Sequence, residues 1–267
     1  MPFLDSSKHL WRVWRANARA SMVREMEFRS NFLLGLIRQF LWVGVFVFLI
    51  EVIFQNTESL AGWSKPEVLL ILALSRIIEG TIDTFFSRNI AHLPQDVQNG
   101  EFDFNLVRPG SAQFYTAFRR FYFHNIGHLI SGVIILLYAL SQMPAPAPMS
   151  VTAFLILVAV SLTTFYSLLI LLASLVFYFD RFETMWSIIS LITEPLTVPF
   201  DIFPRSVRIP LTYFIPIAFV VFVPAQALTG RLELWQIPAA IGIAALFLLL
   251  ANLAWRAGLR RYSSASS

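Results

Sequence analysis

The chain has 267 residues, of which 57% are hydrophobic and only 13% are charged, and its mean hydropathy is +0.67. Soluble domains are about 45–50% apolar and about 25% charged, so this composition excludes both an ordinary soluble domain and a disordered chain. The lack of cysteine excludes disulfides, thiolate catalysis and cysteine-ligated metals. The net charge of +4 is typical of some nucleic-acid-binding proteins, but in so apolar a chain it favours orientation in a bilayer and contact with anionic head groups.

The first thirty residues lack the continuous apolar core of a signal peptide. Apolar residues, including Trp11 and Trp14, instead recur at three- and four-residue steps beside a stripe of basic residues. This pattern predicts an amphipathic helix in the membrane interface over Ser7–Arg29, with a helix packed on a soluble partner as the alternative. The basic stripe consists of Lys8, Arg12, Arg15 and Arg19.

Six segments approach the length of about 20 mostly apolar residues that a membrane-spanning helix needs. The second is unusually polar, and prolines break the fifth. A further apolar run, Leu211–Val223, is too short to cross and predicts an external re-entrant hairpin before the last span. The predicted spans are Phe32–Phe54, Val68–Ile90, Phe118–Leu140, Val151–Phe179, Thr184–Phe200 and Trp235–Ala257.

The distribution of lysine and arginine predicts that both termini are cytoplasmic. With six spans and an internal amino terminus, most basic residues fall on the cytoplasmic side, as the positive-inside rule requires. A seventh span through the short apolar run would move the basic carboxyl-terminal residues outside. The predicted fold class is therefore an all-α polytopic membrane protein with a single transmembrane domain over residues 1–267. The external basic residues are then Lys65, Arg205, Arg208 and Arg231, and Arg38 and Arg76 are embedded.

Charged side chains inside a span are costly and are expected to face the bundle interior or a cavity. Arg76, Glu79 and Asp83 share one face of the second span. One hypothesis pairs Arg76 with Glu79 and Arg38 with Asp83 or Glu79; the other makes this face part of a transport path. Glu194, at the proline break of the fifth span, suits a conduit, a gate or a helix cap equally well.

The sequence lacks the common nucleotide and hydrolase motifs. No glycine is followed by lysine, so a P-loop is absent, and neither Gly-x-Ser-x-Gly nor Gly-x-Gly-x-x-Gly occurs. His124 and His128 are four residues apart, a spacing that can bind a metal, but no glutamate base lies between them. A polar patch between helices is favoured over a metal site or an intramembrane enzyme.

Proline and glycine punctuate residues 92–110, where phenylalanines alternate with acidic residues. Gln95–Asn99 is predicted to form a short helix that Gly100 ends. A short amphipathic element at the cytoplasmic face suits the docking of a soluble partner, and an ordinary surface loop is the alternative.

The motifs QNGEFDFNLVRP, EPLTVPFDIFP, FIPIAFVVFVPAQALTG and WRAGLRRY follow the basic helix in this order. Together they resemble the permease subunits of bacterial type-2 ATP-binding-cassette (ABC) exporters, particularly the small daunorubicin-type branch. The resemblance covers nearly the whole chain. It implies a coupling helix within 92–110, a connecting helix at Ser7–Arg29 and an external re-entrant gate at Asp201–Gly230.

The resemblance also implies roles for individual residues and for partners. Two permease subunits, identical or different, would pair in the bacterial inner membrane above two separate ATPase subunits that hold ATP and Mg²⁺. The 26 phenylalanines suit an apolar or amphipathic cargo, although packing and lipid contact are the commoner reason for such a content. The predicted cargo is amphipathic, such as a lipid, glycolipid, drug or glycan-like molecule. An ion-coupled secondary transporter that uses the intramembrane carboxylates is the alternative function. The implied ATPase-coupling residues are Asn99, Gly100, Glu101, Asp103, Arg108 and Pro109, and the implied gate residues are Pro195, Pro199, Phe203, Pro204, Pro216 and Pro224.

Overall fold

The structure is a computed structural model that describes residues 2–179, 185–213, 216 and 218–262. Within these residues, side chains are described for all but 2–7, 194, 195 and 213. The regular secondary structure of the described part is helical, apart from one isolated bridge between Leu60 and Trp63. The predicted all-α fold class is therefore confirmed.

Long helices alternate with short ones along the described chain. The α-helices are α1 (Pro2–Glu27), α2 (Arg29–Asn56), α3 (Lys65–Phe85), α4 (Ser87–Ala91), α5 (Leu93–Gln98), α6 (Asp103–Leu106), α7 (Ala112–Ala117), α8 (Ile126–Ser141), α9 (Pro148–Ser174), α10 (Met185–Thr193), α11 (Arg205–Tyr213), α12 (Ala218–Thr229) and α13 (Gln236–Leu259). Short 3₁₀-helices occupy Phe123–Asn125, Leu175–Phe177, Glu194–Thr197 and Phe200–Ile202.

Four helical stretches in the described residues are long and apolar enough to cross a membrane, and they correspond to the first, third, fourth and sixth predicted spans. They differ in how far the protein itself covers them. In its most apolar window, α2 is only 17% buried, whereas the α9 stretch is 44% buried. Helix α2 therefore offers the largest share of its surface to lipid or to another chain. The four stretches are Arg29–Asn56, Phe123–Ser141, Pro148–Phe177 and Gln236–Leu259.

Helix α3 lies at the centre of the bundle, packed along α8 and in contact with α2, α9 and α12. Its residues 68–74 are almost completely buried. Glycines permit the close crossing with α8, because a Cβ atom on Gly132 would lie 2.8 Å from the backbone oxygen of Ala73. A Cβ atom on Gly80 would lie 2.6 Å from the backbone nitrogen of Leu129. Small residues thus bring two backbones together, as is common where helices cross inside a membrane.

The second and fifth predicted spans differ from the four apolar stretches. The second is α3, whose charges at Arg76, Glu79 and Asp83 make it too polar to qualify by composition. Other helices surround α3, since most of its length is buried. In the described residues the fifth consists of the nine residues of α10, after which a 3₁₀-helix with an early proline replaces the α-helix; its predicted start at Thr184 lies outside the described residues.

The third predicted span starts later than its hydrophobicity indicated. Residues 118–122 are not helical, and the 3₁₀-helix that leads into α8 begins at Phe123. The side chain of Asn89 in α4 satisfies backbone groups there, donating to the carbonyl oxygens of Ala117 at 2.9 Å and Arg120 at 2.7 Å. A side chain therefore replaces the helical partners that those carbonyls would otherwise need.

The short apolar run Leu211–Val223 is divided between two helices. Helix α11 contains Pro210 and is mostly exposed, whereas α12 contains Pro224 and is mostly buried against α9 and α3. Pro216 lies between them and is buried. A proline removes a backbone donor from a helix, which explains why this run is broken.

One face of α1 packs against the rest of the protein. Trp14 stacks on Phe85 at 6.4 Å between ring centroids and meets Phe121 edge-on at 5.2 Å. The hydroxyl of Ser21 accepts a hydrogen bond from the backbone nitrogen of Phe121 at 3.0 Å. The Trp-bearing face is therefore divided, since Trp14 contacts protein and Trp11 is exposed. The basic stripe of Lys8, Arg12, Arg15 and Arg19 is exposed.

We expect Gly132→Ala to lower the free energy of unfolding by about 1–3 kcal/mol, because the new methyl group must push α3 and α8 apart. Gly242→Ala is the matched control, since no atom lies within 4 Å of a Cβ built there. Thermal unfolding of the purified protein in detergent measures both. Equal midpoints for the two variants would contradict the tight crossing.

Candidate functional site

Residues 92–110 form a folded elbow, which we name the elbow segment. Helix α5 covers most of the predicted Gln95–Asn99 helix, and Gly100 follows with a left-handed φ of +72°. A residue with a side chain adopts that conformation only with strain, so glycine suits the turn. After the turn, α6 continues the elbow segment towards Arg108 and Pro109, which are exposed.

An ion cluster holds the elbow segment against the chain that follows α7. Arg119 donates to both carboxylate oxygens of Asp96, at 3.0 Å and 2.9 Å, and to Glu101 at 3.2 Å. Partial burial disfavours the charged guanidinium, but the two carboxylates outweigh it and raise the pKa of Arg119 above its ordinary value. Asp96 is the buried member, and the bidentate geometry fixes its orientation.

Phe102 anchors the elbow segment in the bundle. Its side chain is fully buried, and its ring lies 5.4 Å from that of Phe177, 6.1 Å from that of Trp255 and 5.2 Å from that of Tyr262. The Tyr262 hydroxyl donates to Asp103 at 2.9 Å. Burial and this carboxylate raise the pKa of Tyr262 to about 12. The elbow segment is thereby joined to the ends of two apolar stretches, Pro148–Phe177 and α13.

The outer side of the elbow segment exposes apolar residues. Val107 is 81% exposed and Phe104 is 66% exposed, and Leu106 between them is also exposed. Arg108 lies over the Tyr115 ring at 5.6 Å. A cluster of exposed apolar side chains rimmed by charged groups is typical of a surface that another protein covers. The remaining predicted coupling residues are exposed Asn99, Glu101 and Pro109 and half-buried Asp103.

The charges within α3 are arranged differently from the predicted network. Arg76 pairs with Glu79 through Nη2 and Oε2 at 3.0 Å. Asp83 instead accepts a hydrogen bond from Ser87 one turn later. In the described part of the chain Arg38 pairs with neither carboxylate, so the predicted link from Arg38 to α3 is wrong. Arg38 instead lines a separate cavity with Glu25 of α1 and His124 of the 3₁₀-helix Phe123–Asn125.

The two histidines of the third predicted span have different neighbours. His124 lies 2.8 Å from Glu25 of α1 through Nδ1 and Oε1. His128 lies against α3, because a Cβ atom built on Gly80 would be 3.0 Å from the Cβ atom of His128. Among the described residues no group of three or more metal-binding side chains occurs. The polar contact between helices is thus present at His124.

A second polar cluster lies at the amino end of α3, and no pattern in the sequence predicts it. Trp63 donates through Nε1 to Asp201 at 3.0 Å, and Arg208 reaches the other oxygen of that carboxylate at 2.8 Å. Arg231 lies over the Trp63 ring at 4.6 Å and donates to Glu67 at 2.8 Å. We call these five residues the Trp63 cluster. It joins the α2–α3 connection to both ends of the region that was predicted as the gate.

The predicted gate residues lie between the end of α10 and the middle of α12, which contains Pro224. Phe203 is half-buried, and its ring lies 6.0 Å from that of Phe200. The side chains of Glu194 and Pro195 lie outside those that the structure describes, so their predicted roles stay predictions. The other gate residues are buried Pro199, Pro216 and Pro224 and exposed Pro204.

Several apolar helices around a central polar one define a multi-pass, all-helical membrane protein. A family model described as "ABC-2 family transporter protein" matches residues 40–266. The chain therefore belongs to the ABC-2 transporter family, whose members are membrane permeases of ABC transporters without a nucleotide-binding site of their own. No match is found among curated proteins or among solved structures.

We expect Arg119→Gln to loosen the elbow segment, because Asp96 would then remain buried without its charged partner. Hydrogen exchange of the backbone amides around Phe102 should become about tenfold faster. Arg120→Gln is the control, because in the described residues only the backbone of Arg120 makes hydrogen bonds. Unchanged exchange in Arg119→Gln would show that Phe102 alone holds the segment.

Trp63→Phe keeps an aromatic ring under Arg231 but removes the donor to Asp201. We expect the free energy of unfolding to fall by about 1 kcal/mol, the usual contribution of one hydrogen bond. Trp42→Phe is the control, since Trp42 is exposed on α2. A melting temperature of Trp63→Phe equal to that of the control would mean that the Trp63 cluster does not stabilise the fold.

Proposed function

We propose that this chain is the permease subunit of an ATP-driven exporter in the bacterial inner membrane. It would supply half of the translocation path and take its energy from a separate ATPase that binds ATP and Mg²⁺. The observation that carries the proposal is the elbow segment, which is anchored inside by Phe102 and exposes Phe104 and Val107 outside. A rigid elbow with an uncovered apolar surface is suited to receive force from a soluble partner.

The proposed topology has six spans, with both termini in the cytoplasm. Helix α3 would be the second span, and α10 with the following 3₁₀-helix would be the fifth. The elbow segment would then be cytoplasmic, together with the exposed basic stripe of α1 and the basic carboxyl-terminal residues. The Trp63 cluster, α11 and α12 would lie on the external side, where α12 forms the buried arm of a re-entrant hairpin.

Force on the elbow segment has two routes into the bundle. Phe102 and Tyr262 connect it to the ends of Pro148–Phe177 and α13. Helices α4 and α5 connect it to the end of α3. Closure of the ATPase pair would tilt these helices and turn the path from inward- to outward-facing. A second permease, identical or different, would cover part of the exposed surface of α2.

We expect the tagged permease, isolated from its native membranes, to co-purify with an ABC ATPase that mass spectrometry identifies. The double variant Phe104→Ser/Val107→Ser should reduce recovery of that ATPase at least about tenfold, since the apolar anchors of an interface carry much of its affinity. Leu234→Ser is the control, because Leu234 is 85% exposed and lies just before α13, outside the elbow segment.

Equal ATPase recovery with both variants would contradict docking on the elbow segment. The alternative function, an ion-coupled secondary transporter, makes a different prediction for transport by membrane vesicles. Export that survives ATP depletion but stops when the proton gradient is removed would support that alternative and overturn the proposal.

A further inference from the structure

A cavity of about 250 Å³ lies between α2, α3 and the end of α10. Arg76 and Glu79 of α3 line it on one side, and Phe46 of α2 contributes an aromatic wall. Thr193 and Thr197 complete it from the broken fifth span. The cavity therefore brings one ion pair, two hydroxyl groups and an aromatic ring together within the helical bundle.

Arg76 is the most buried charged residue of this cavity, with 6% of its surface exposed. Glu79 holds its Nη2, and the guanidinium carbon lies 5.7 Å from the centroid of the Phe46 ring. The Nε of Arg76 has no hydrogen-bond partner among the described residues. Buried donors are normally paired, so a cavity beside an unpaired one is a place where a polar group is expected to bind.

The charges of the lining residues restrict what that polar group can be. Arg76 and Glu79 neutralise each other, so a charged head group would leave water without gaining a counter-ion. Thr193 donates its hydroxyl proton to the carbonyl oxygen of Ser190 at 3.1 Å, so its oxygen remains available as an acceptor. Among the lining residues that the structure describes, the cavity thus combines a donor with acceptors and carries no net charge, which suits a hydroxyl group.

The surface next to Phe46 supplies an apolar path. Trp42, Val45 and Leu49 on α2 are all exposed, and the ring of Trp42 lies 6.5 Å from that of Phe46. We propose that the cavity binds the uncharged, hydroxyl-bearing head group of an amphipathic molecule whose apolar part lies along α2. The inference rests on the proposed export function, because it names the chemical class of the cargo in that path.

Binding can be measured on the purified permease in nanodiscs, without any ATPase. Three dansyl-labelled decyl probes carry a glucoside, a phosphate or a trimethylammonium head group, and energy transfer from tryptophan reports their binding. The glucoside probe is expected to bind saturably and at least about tenfold more tightly than either charged probe. Equal affinities for the three head groups, or no saturable binding of the glucoside, would overturn the proposal.

The double variant Arg76→Leu/Glu79→Leu removes the polar groups without leaving an unpaired charge. We expect it to weaken glucoside binding about tenfold, and Thr193→Val, which keeps the ion pair, to weaken it about threefold. Glu51→Leu/Lys65→Leu is the control, because that ion pair, between α2 and α3, is also removed as a pair but does not line the cavity.

The control is expected to bind the glucoside probe as the wild type does. If Arg76→Leu/Glu79→Leu and Thr193→Val both fold and bind the glucoside as tightly as the wild type, the probe binds elsewhere and the proposed site is refuted. Because the assay contains only the permease, its outcome is independent of ATPase co-purification. The cargo site and the coupling function can therefore fail separately.

Discussion

The cost of placing charge at membrane depth governs the architecture of this protein. Helix α3 carries Arg76, Glu79 and Asp83, and each charge facing lipid near the bilayer centre would cost at least about 2.5–3.5 kcal/mol. The fold surrounds α3 with α2, α8, α9 and α12 and pairs Arg76 with Glu79 inside the protein. Gly80 and Gly132 serve this arrangement, because they let α3 and α8 approach closely enough for α8 to cover α3. The apolar helices can then face lipid.

The same central helix connects two polar clusters at its ends. At its amino end, Glu67 closes a capping box with Ser64 and also binds Arg231 of the Trp63 cluster. Beyond its carboxyl end, Asn89 fixes the backbone before α8, and the chain passes directly into the elbow segment. A buried helix with both ends fixed moves as a rigid body more readily than it bends. The elbow segment is therefore connected to the central helix and, through that helix, to the Trp63 cluster.

The sequence was sufficient to predict the all-α class, four of the spans, the Gly100 turn and the family. These features depend on local composition, on hydrophobic runs and on a glycine or proline at a fixed place. The surroundings of Arg38 and the partner of Asp83 were not predictable, because the rotation of each helix about its axis is set by packing across the bundle. The start of α8 was misplaced for a related reason, since the Asn89 side chain lies about 30 residues away in sequence. The Trp63 cluster joins residues more than 130 positions apart, a separation at which no periodic pattern carries information.

The two sides of the elbow segment explain why its motif combines large aromatic residues with charges. Phe102 needs a complete aromatic socket, and that socket is built from Phe177, Trp255 and Tyr262, which lie at the ends of two other helices. Phe104, two positions later, is 66% exposed and has no such socket in the described part of the chain. If both phenylalanines were buried, the segment would be a closed surface loop with nothing to offer a partner. If both were exposed, a partner could bind but would have no firm connection to the bundle. The proposed docking of an ATPase needs this alternation of one buried and one exposed ring, because it joins the exposed apolar surface to the helices behind it.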